Sequence, residues 1–267
     1  MGMLICNQGI FSFGDKMTVT LDTLRVLPLF SDLSPEDGAL LVRNSRIISR
    51  KRGQFLFAHG DKVTHFYVIC RGAIQVFRET PGGEEVTSNI LIAGDSINAD
   101  EVIARQAEHA MNARAVDDCS LLEIPVAWMR EHLNDFDPMA KKLLASLVDR
   151  LHEAEVEAEH HTTMSAAQIV ACYLQKLCVL YNFDPHGFEL PYSKTLIANR
   201  LRMKKETFSR TLQTLHNHGI TVTGAHVSIK DMRKTGNFVC GECSVAEECA
   251  THHVLHERLG KISGRGP

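Results

Sequence analysis

Long hydrophobic runs are missing from this chain. No stretch of about 18 apolar residues occurs, which excludes a membrane-spanning helix of the ordinary kind. The first residues, Met1 to Lys16, have no basic n-region, no long h-region and no small-residue cleavage site, so a secretory signal is not expected. Met1-Gly2 is followed by Cys6 where a myristoylation signal calls for Ser or Thr. An excess of charge of one sign is missing too. With 29 basic and 32 acidic residues the net charge is -3, so any surface for nucleic acid has to be local. No nucleophile with a base beside it, no glycine-rich phosphate loop and no hydrolytic metal motif is present, which argues against an enzyme. Internal repeats and low-complexity tracts are also absent. Without a secretory signal the reducing cytoplasm is the expected compartment and disulfides are not expected. Cys6, Cys70, Cys119, Cys172 and Cys178 are scattered, most of them in apolar contexts, and read as buried free thiols.

What is present falls into segments. Residues 18–35 read as a short helical lead-in and 36–46 as another short helix. From Ile47 to Ile124 short apolar or alternating runs recur, among them Phe66-Tyr67-Val68-Ile69 and Ala73-Ile74-Gln75-Val76-Phe77. Gly53, Gly60, Gly72, Gly82-Gly83 and Gly94 punctuate them, and Pro81-Gly82-Gly83 reads as a hairpin tip. Regular short strands with glycine turns predict an antiparallel sandwich or barrel. Residues 126–134 predict a short helix and Met139 to about His161 one long helix. Leu143, Leu147 and Leu151 recur there at four-residue steps, a stripe that suits either packing on the barrel or a parallel dimer seam. A second helix is expected over Ser165 to Tyr181, and a two-stranded wing over His218 to Ile229.

The most informative stretch lies between these last two. Ser193 is a plausible N-cap for a helix over Lys194 to Leu201, and a tight turn leads to a second helix. Phe208, Leu212 and Leu215 form the apolar stripe of that helix, offset from Glu206, Ser209, Arg210 and Gln213. Glu206, Ser209 and Arg210, at i, i+3 and i+4, share one face. That face offers an acceptor for cytosine N4, a hydroxyl that suits several base edges, and a guanidinium fork that matches guanine O6 and N7. Thr207 and Lys205 are better placed for phosphate, although Lys205 is also within reach of a base; the charge of Arg202 suits phosphate, and Lys204 adds a further cation to the DNA-binding set. Between Ser193 and Asn217 stand six basic residues and a single acid, Glu206, so the basic surface missing from the whole chain is concentrated here.

Glu206-Thr207-Phe208-Ser209-Arg210, closed by Gly219-Ile220, resembles the helix-turn-helix of the CRP/FNR family of bacterial transcription regulators. The glycine-punctuated barrel, with Arg71-Gly72-Ala73 and Gly94-Asp95, resembles that family's cyclic-nucleotide-type sensor domain. The resemblance runs from about Leu24 to Asp231. It implies an α+β fold: an N-terminal cyclic-nucleotide-type antiparallel β-barrel, a long dimerisation helix and a C-terminal winged helix-turn-helix. The corresponding segments are an extension at 1–17, the barrel at 18–134, the dimerisation helix at 135–162, the winged helix at 163–234 and a Cys/His-rich tail at 235–267. A homodimer seamed by Leu143, Leu147 and Leu151 is implied, reading double-stranded DNA with palindromic TTGA-type half-sites, with RNA polymerase as a partner. Arg202 stands where the family often has Gly, at a cost of roughly 1 kcal/mol if its φ is positive. In family members that bind cyclic AMP, a Gly-Glu pair and an Arg-Ser or Arg-Thr pair hold the nucleotide. The matching positions here are Asn98-Ala99 and His109-Ala110, which lack the carboxylate, the permanent cation and the hydroxyl, so no cyclic-nucleotide binding is expected. Nearby Glu101 and Arg105 substitute only if the loop is rebuilt.

The tail carries Cys240, Cys243 and Cys249 in a Cys-x2-Cys-x5-Cys pattern, then His252, His253 and His256. Gly241 allows a tight backbone so that both flanking thiolates face one metal. Three cysteines with an open position suit an iron–sulfur cluster, and three cysteines with a histidine suit structural zinc. The resemblance favours an iron–sulfur cluster, [4Fe–4S] first, because some family members sense oxygen or nitric oxide with one. The fourth ligand stays open among His252, His253, His256, Cys172, Cys178 and an acid on the long helix. A haem on His59, His65, His109, His152, His160 or His161, or a metabolite in the barrel with a zinc tail, is the alternative.

Overall fold

A computed structural model describes residues 18–133, 135, 137–181, 184, 187–241 and 243–263. The N-terminal extension, with Cys6, lies outside the described residues. The chain forms two compact units, Met1–Leu151 and His152–Pro267.

The first unit begins with α1 (Leu21–Arg25), which Thr20 and Thr23 close in a reciprocal capping box. The helical lead-in expected over 18–35 is not continuous. A 3₁₀ turn at Pro28–Phe30 follows α1, and Ser34 then caps α2 (Pro35–Arg43). Pro28 cannot supply the N–H that a continuing helix needs. Strands β1 (Arg46–Arg50), β2 (Phe55–Phe57), β3 (His65–Arg71), β4 (Ala73–Glu79), β5 (Glu85–Ile92) and β6 (Ser96–Ile97) precede a short helix, α3 (Ala99–Ile103). Strands β7 (Asn112–Ala115) and β8 (Cys119–Pro125) come next, followed by α4 (Val126–His132) and the long α5 (Asp137–Thr163).

The strands form two four-stranded antiparallel sheets, ordered β1-β8-β3-β6 and β2-β7-β4-β5. Both faces of β3 are buried, which explains its unbroken apolar run. Phe66, Val68 and Cys70 join Leu24, Phe30 and Leu41 in one core cluster, while Tyr67 and Ile69 join Ile74, Leu91 and Leu121 in the other. Of the expected buried thiols, Cys70, Cys119 and Cys178 are buried and Cys172 is half-buried; burial pushes Cys70 up to about 12 and Cys119 up to about 11, so both stay neutral. The tip of the β4–β5 hairpin falls at the expected Pro-Gly-Gly, with Gly83 N donating to Thr80 O at 2.9 Å.

On α5, Leu143 is fully buried with Met139 in the first cluster, and Leu147 packs against it. The seam expected through Leu143, Leu147 and Leu151 is therefore corrected. The four-residue step drifts around the helix, so its first two members face the barrel core. The exposed apolar stripe is Leu144, Val148 and Leu151, at 61%, 57% and 62% exposure.

In the second unit, α6 (Ala166–Leu180) starts at a capping box between Ser165 and Gln168. Strand β9 (Phe188–Glu189), α7 (Lys194–Arg200), α8 (Lys205–Thr214), β10 (Ile220–Thr223) and β11 (His226–Ile229) follow. The wing has three strands, not two, because β9 pairs with β11 through Phe188↔Val227 and Glu189↔His226. A two-residue strand is too short for alternation to reveal. The tail is helical: α9 (Met232–Cys240), capped by Asp231, and α10 (Ala250–Ser263) both pack on α6 and on each other.

Gly72, in the β3–β4 turn, has φ +84°, and a Cβ there would lie 2.7 Å from Cys119 Cβ and 2.8 Å from Asp117 Oδ1. Gly83 has a similar φ of +79° with nothing within 4 Å. Gly83→Ala should thus cost about 1–2 kcal/mol for the left-handed backbone alone. Gly72→Ala should cost a further ~1–3 kcal/mol for overpacking. Denaturant melts of the two variants check this, and equal losses would mean that the crowding at Gly72 is of no consequence.

Candidate nucleic-acid interface and cysteine cluster

Helix α7 ends at Leu201, whose N–H donates to Ile197 O at 2.9 Å, and Met203 N reaches back to Ala198 O at 2.9 Å. Between them Arg202 takes φ 55°, the left-handed conformation that reverses the chain. The departure from glycine noticed in the sequence is thus a real backbone cost, of about 1–2 kcal/mol. It leaves an exposed guanidinium at the mouth of the turn.

Helix α8 buries Phe208, Thr211 and Leu215, with Leu212 half-buried. At about 100° per residue these stand opposite Glu206, Ser209, Arg210 and Gln213, all exposed. Thr207, half-buried, lies at the edge of that face, and Lys204 and Lys205 are exposed at the start of the helix. Lys204 is the N-cap residue and makes no side-chain capping bond, so the first N–H groups of α8 are not closed off by a cap. Gly219, at φ 84°, ends the following 3₁₀ turn and starts the wing. One basic residue in the window is committed elsewhere. Arg200 makes a two-pronged ion pair with Glu157 of α5, with Nη1–Oε2 at 2.8 Å. Although burial opposes its charge, the Glu157 carboxylate holds its pKa above the ordinary arginine value.

In the barrel, Glu101 and His109 are both buried, at 5% and 3% exposure. His109 Nδ1 donates to Glu101 Oε2 at 2.6 Å, and Ala110 N donates to Oε1 at 2.8 Å. The imidazole stacks flat on Phe57, ring centres 3.6 Å apart. Both carboxylate oxygens of Glu101 are therefore engaged at the His109-Ala110 position. Arg105, the other nearby candidate, is exposed at φ 54°.

The tail cysteines lie at the end of α9, in the loop that follows and just before α10, and both helices pack on α6. Gln168 Nε2 donates to Phe238 O at 3.1 Å, which docks α9 on α6. Cys172 lies one turn beyond Gln168 and feels the charges of Cys249, Cys240 and Cys243. Gly241 permits the tight exit from α9: a Cβ there would stand 2.8 Å from Asn237 O. Cys243 N then donates to Cys240 O at 3.3 Å. The loop after α9 rests on α5, where His160 Nε2 lies 3.4 Å from Cys243 Sγ and Ser244 Oγ donates to Glu159. Burial pushes Cys172 up to about 12 and Cys240 up to about 11, with the neighbouring sulfurs adding to the effect. All four thiols are free. His252 is half-buried and His253 exposed. Among the described residues no group of three or more His, Cys, Asp or Glu side chains is already arranged to hold a metal ion.

The family model for a cyclic nucleotide-binding domain matches residues 47–135, and that for a Crp-like helix-turn-helix domain matches 170–234. The chain is 29% identical over 199 residues to the anaerobic regulatory protein of Pasteurella multocida, covering 70% of each. It is 27% identical over 198 residues to the fumarate and nitrate reduction regulatory protein of Escherichia coli K12, covering 69% of this chain and 76% of that one. FixK2 of Bradyrhizobium japonicum shares the fold, with a TM-score of 0.62 at 20% identity over 73% of this chain and 96% of its own. Matching models for both units, joined in one chain with these relatives, describe a DNA-binding regulator and not an enzyme. The chain belongs to the CRP/FNR family of transcription regulators.

Proposed function

We propose that the protein acts as a cytoplasmic homodimer that reads palindromic operators with TTGA-type half-sites. Glu206, Ser209 and Arg210 of each copy's α8 contact base edges. The observation that carries this reading is the exposed polar face of α8 standing opposite its buried Phe208–Leu215 stripe. On that face Arg210 offers two donors to guanine O6 and N7, and Glu206 an acceptor to cytosine N4. Gln213, one turn further, extends the face. Arg202, Lys204, Lys205 and Thr207 take backbone phosphates, together with the uncapped N-terminus of α8. RNA polymerase is the protein partner this reading supplies.

The dimer seam in this proposal is the exposed stripe of α5, Leu144, Val148 and Leu151. At i, i+4 and i+7 they line one side of the helix, the spacing of a coiled-coil seam. A second copy of the same stripe is the occupant that a palindromic operator requires.

The barrel in this reading serves without a cyclic nucleotide. A nucleotide phosphate at His109 and the Ala110 N–H would have to displace the Glu101 carboxylate, which already holds both. Control passes instead to the tail. Its thiols suit an iron–sulfur group by their softness, although zinc satisfies the same criterion. Cys240, Cys243 and Cys249 hold the group, with His252 and His253 as the neighbouring donors. An iron–sulfur group, when bound, supplies sensitivity to redox state or to a gas. The chain's own part is to tie the loop after Cys240 to α5 through His160 and Glu159.

Two outcomes test this. Arg210→Ala should weaken binding to a TTGA palindrome by about 1–3 kcal/mol, and relax specificity at one G·C pair, in a fluorescence-anisotropy titration. Unchanged affinity would remove Arg210 from the reading set. The double variant Leu144→Glu, Leu151→Glu should sediment as a monomer where the parent sediments as a dimer. A dimer that survives both charges would place the seam elsewhere.

A further inference from the structure

The two ends of α8 are fixed by different means. Its amino end follows the tight turn at Arg202. Its carboxyl end runs on through the 3₁₀ turn Leu215–His218 to Gly219, where the chain enters the wing. The last carbonyls of such a run lack partners within it and need them from elsewhere. Two carbonyls at this end are met by the segment that leads into α9 and by its first turn. Gly219 O accepts from Lys230 N at 2.8 Å, and His218 O lies 2.9 Å from Thr235 Oγ1. Thr235 is completely buried. Its hydroxyl also lies 2.8 Å from Asp231 O, so one proton is shared between the two carbonyls.

Three residues further along α9, the ring of Phe238 stacks on the imidazole of His218, with centres 3.6 Å apart and planes 18° apart. The carbonyl of the same residue accepts from Gln168 Nε2 of α6 at 3.1 Å. Helix α6 in turn packs on α8. Helix α9 is thus wedged between the start of α6 and the end of α8, and it holds that end by a hydroxyl and by a ring. Neither Thr235 nor Phe238 belongs to the segment matched as a helix-turn-helix, which stops at 234. Position in the chain puts both in the Cys/His-rich tail, whereas packing puts them in the unit that reads DNA.

We propose that Thr235 and Phe238 are positioning residues for DNA recognition: they set the carboxyl end of α8, and with it the place of Arg210 and Gln213 in the groove. The inference rests on the reading that α8 contacts base edges. Arg210 stands about two turns before His218, and Gln213 is nearer still. A guanidinium fork on guanine O6 and N7 needs both hydrogen bonds in line, so a small shift of the helix end is felt there. Lys204 and Lys205 stand at the opposite end. Each carries a point charge on a flexible stem, which keeps a phosphate in reach through the same shift. Loosening α9 therefore costs specific binding and spares the non-specific kind, which depends on phosphates.

The test uses the full chain and two fluorescent duplexes of equal length, a TTGA palindrome and a scrambled sequence, titrated by anisotropy at one salt concentration. Thr235→Val keeps the shape of the side chain and loses the hydroxyl. Phe238→Leu keeps an apolar side chain and loses the ring. Each should weaken binding to the palindrome about 3–10-fold, the worth of one hydrogen bond or one ring contact, and leave binding to the scrambled duplex unchanged. Thr235→Ser, which retains the hydroxyl, should bind as the parent does. Equal losses on the two duplexes, or a Thr235→Ser as weak as Thr235→Val, overturn the inference, because α9 then only supports the fold. Parent-like binding by both Thr235→Val and Phe238→Leu overturns it as well. Arg210→Ala in the same assay separates the two readings. If it is weakened while the α9 variants are not, the reading of α8 stands and this inference alone falls; if it also binds like the parent, both fall.

Discussion

Burial of Phe208, Thr211 and Leu215 along one side of α8 decides which of that helix's side chains remain outside. Phe208 is completely enclosed, and removing so large a side chain from a core costs about 3–5 kcal/mol. That energy fixes the rotation of α8 about its axis, and with it the direction of Glu206, Ser209 and Arg210. The turn before the helix contributes the second constraint. Its left-handed residue is an arginine, so the fold accepts a backbone cost of about 1–2 kcal/mol there.

The second half of α5 is bound to the rest of its unit through charged and polar side chains. Glu153 pairs with Lys176 at 3.0 Å, Glu157 grips Arg200, and Glu159 and His160 hold the loop that follows Cys240. The acids that the sequence concentrates here are thus distributed among α6, α7 and the tail. Of these contacts the Arg200 pair is the most consequential. Its guanidinium is 11% exposed, and leaving that charge without Glu157 would be far more costly than losing a surface pair. The loop after Cys240 touches this helix through His160 and Glu159, and α7 touches it through Glu157.

Much of this was legible in the residues. The glycine-spaced strands, the long helix, the N-cap Ser193 and the polar face of α8 follow from local rules of periodicity and capping, and the structure has them. Other features depend on partners distant in the chain. Alternation cannot show that β9 completes the wing, because two residues carry no period. The four-residue repeat of Leu143, Leu147 and Leu151 reads as one stripe, yet the helix turns it from core to solvent, and Leu144 and Val148 take the exposed positions. The same limit applies to Glu101: its carboxylate is near the nucleotide-type loop in sequence, but only the fold shows both oxygens engaged by His109 and Ala110.

The central claim is that α8 reads bases in the major groove with Arg210 on a guanine. Methylation interference on a TTGA palindrome addresses that contact at the level of one atom. Methyl groups at N7 of the half-site guanine occupy the acceptor that the guanidinium fork requires. The account predicts that DNA carrying them is excluded from the bound fraction, symmetrically in both half-sites. Recovery of those methylated guanines in the bound DNA would contradict it.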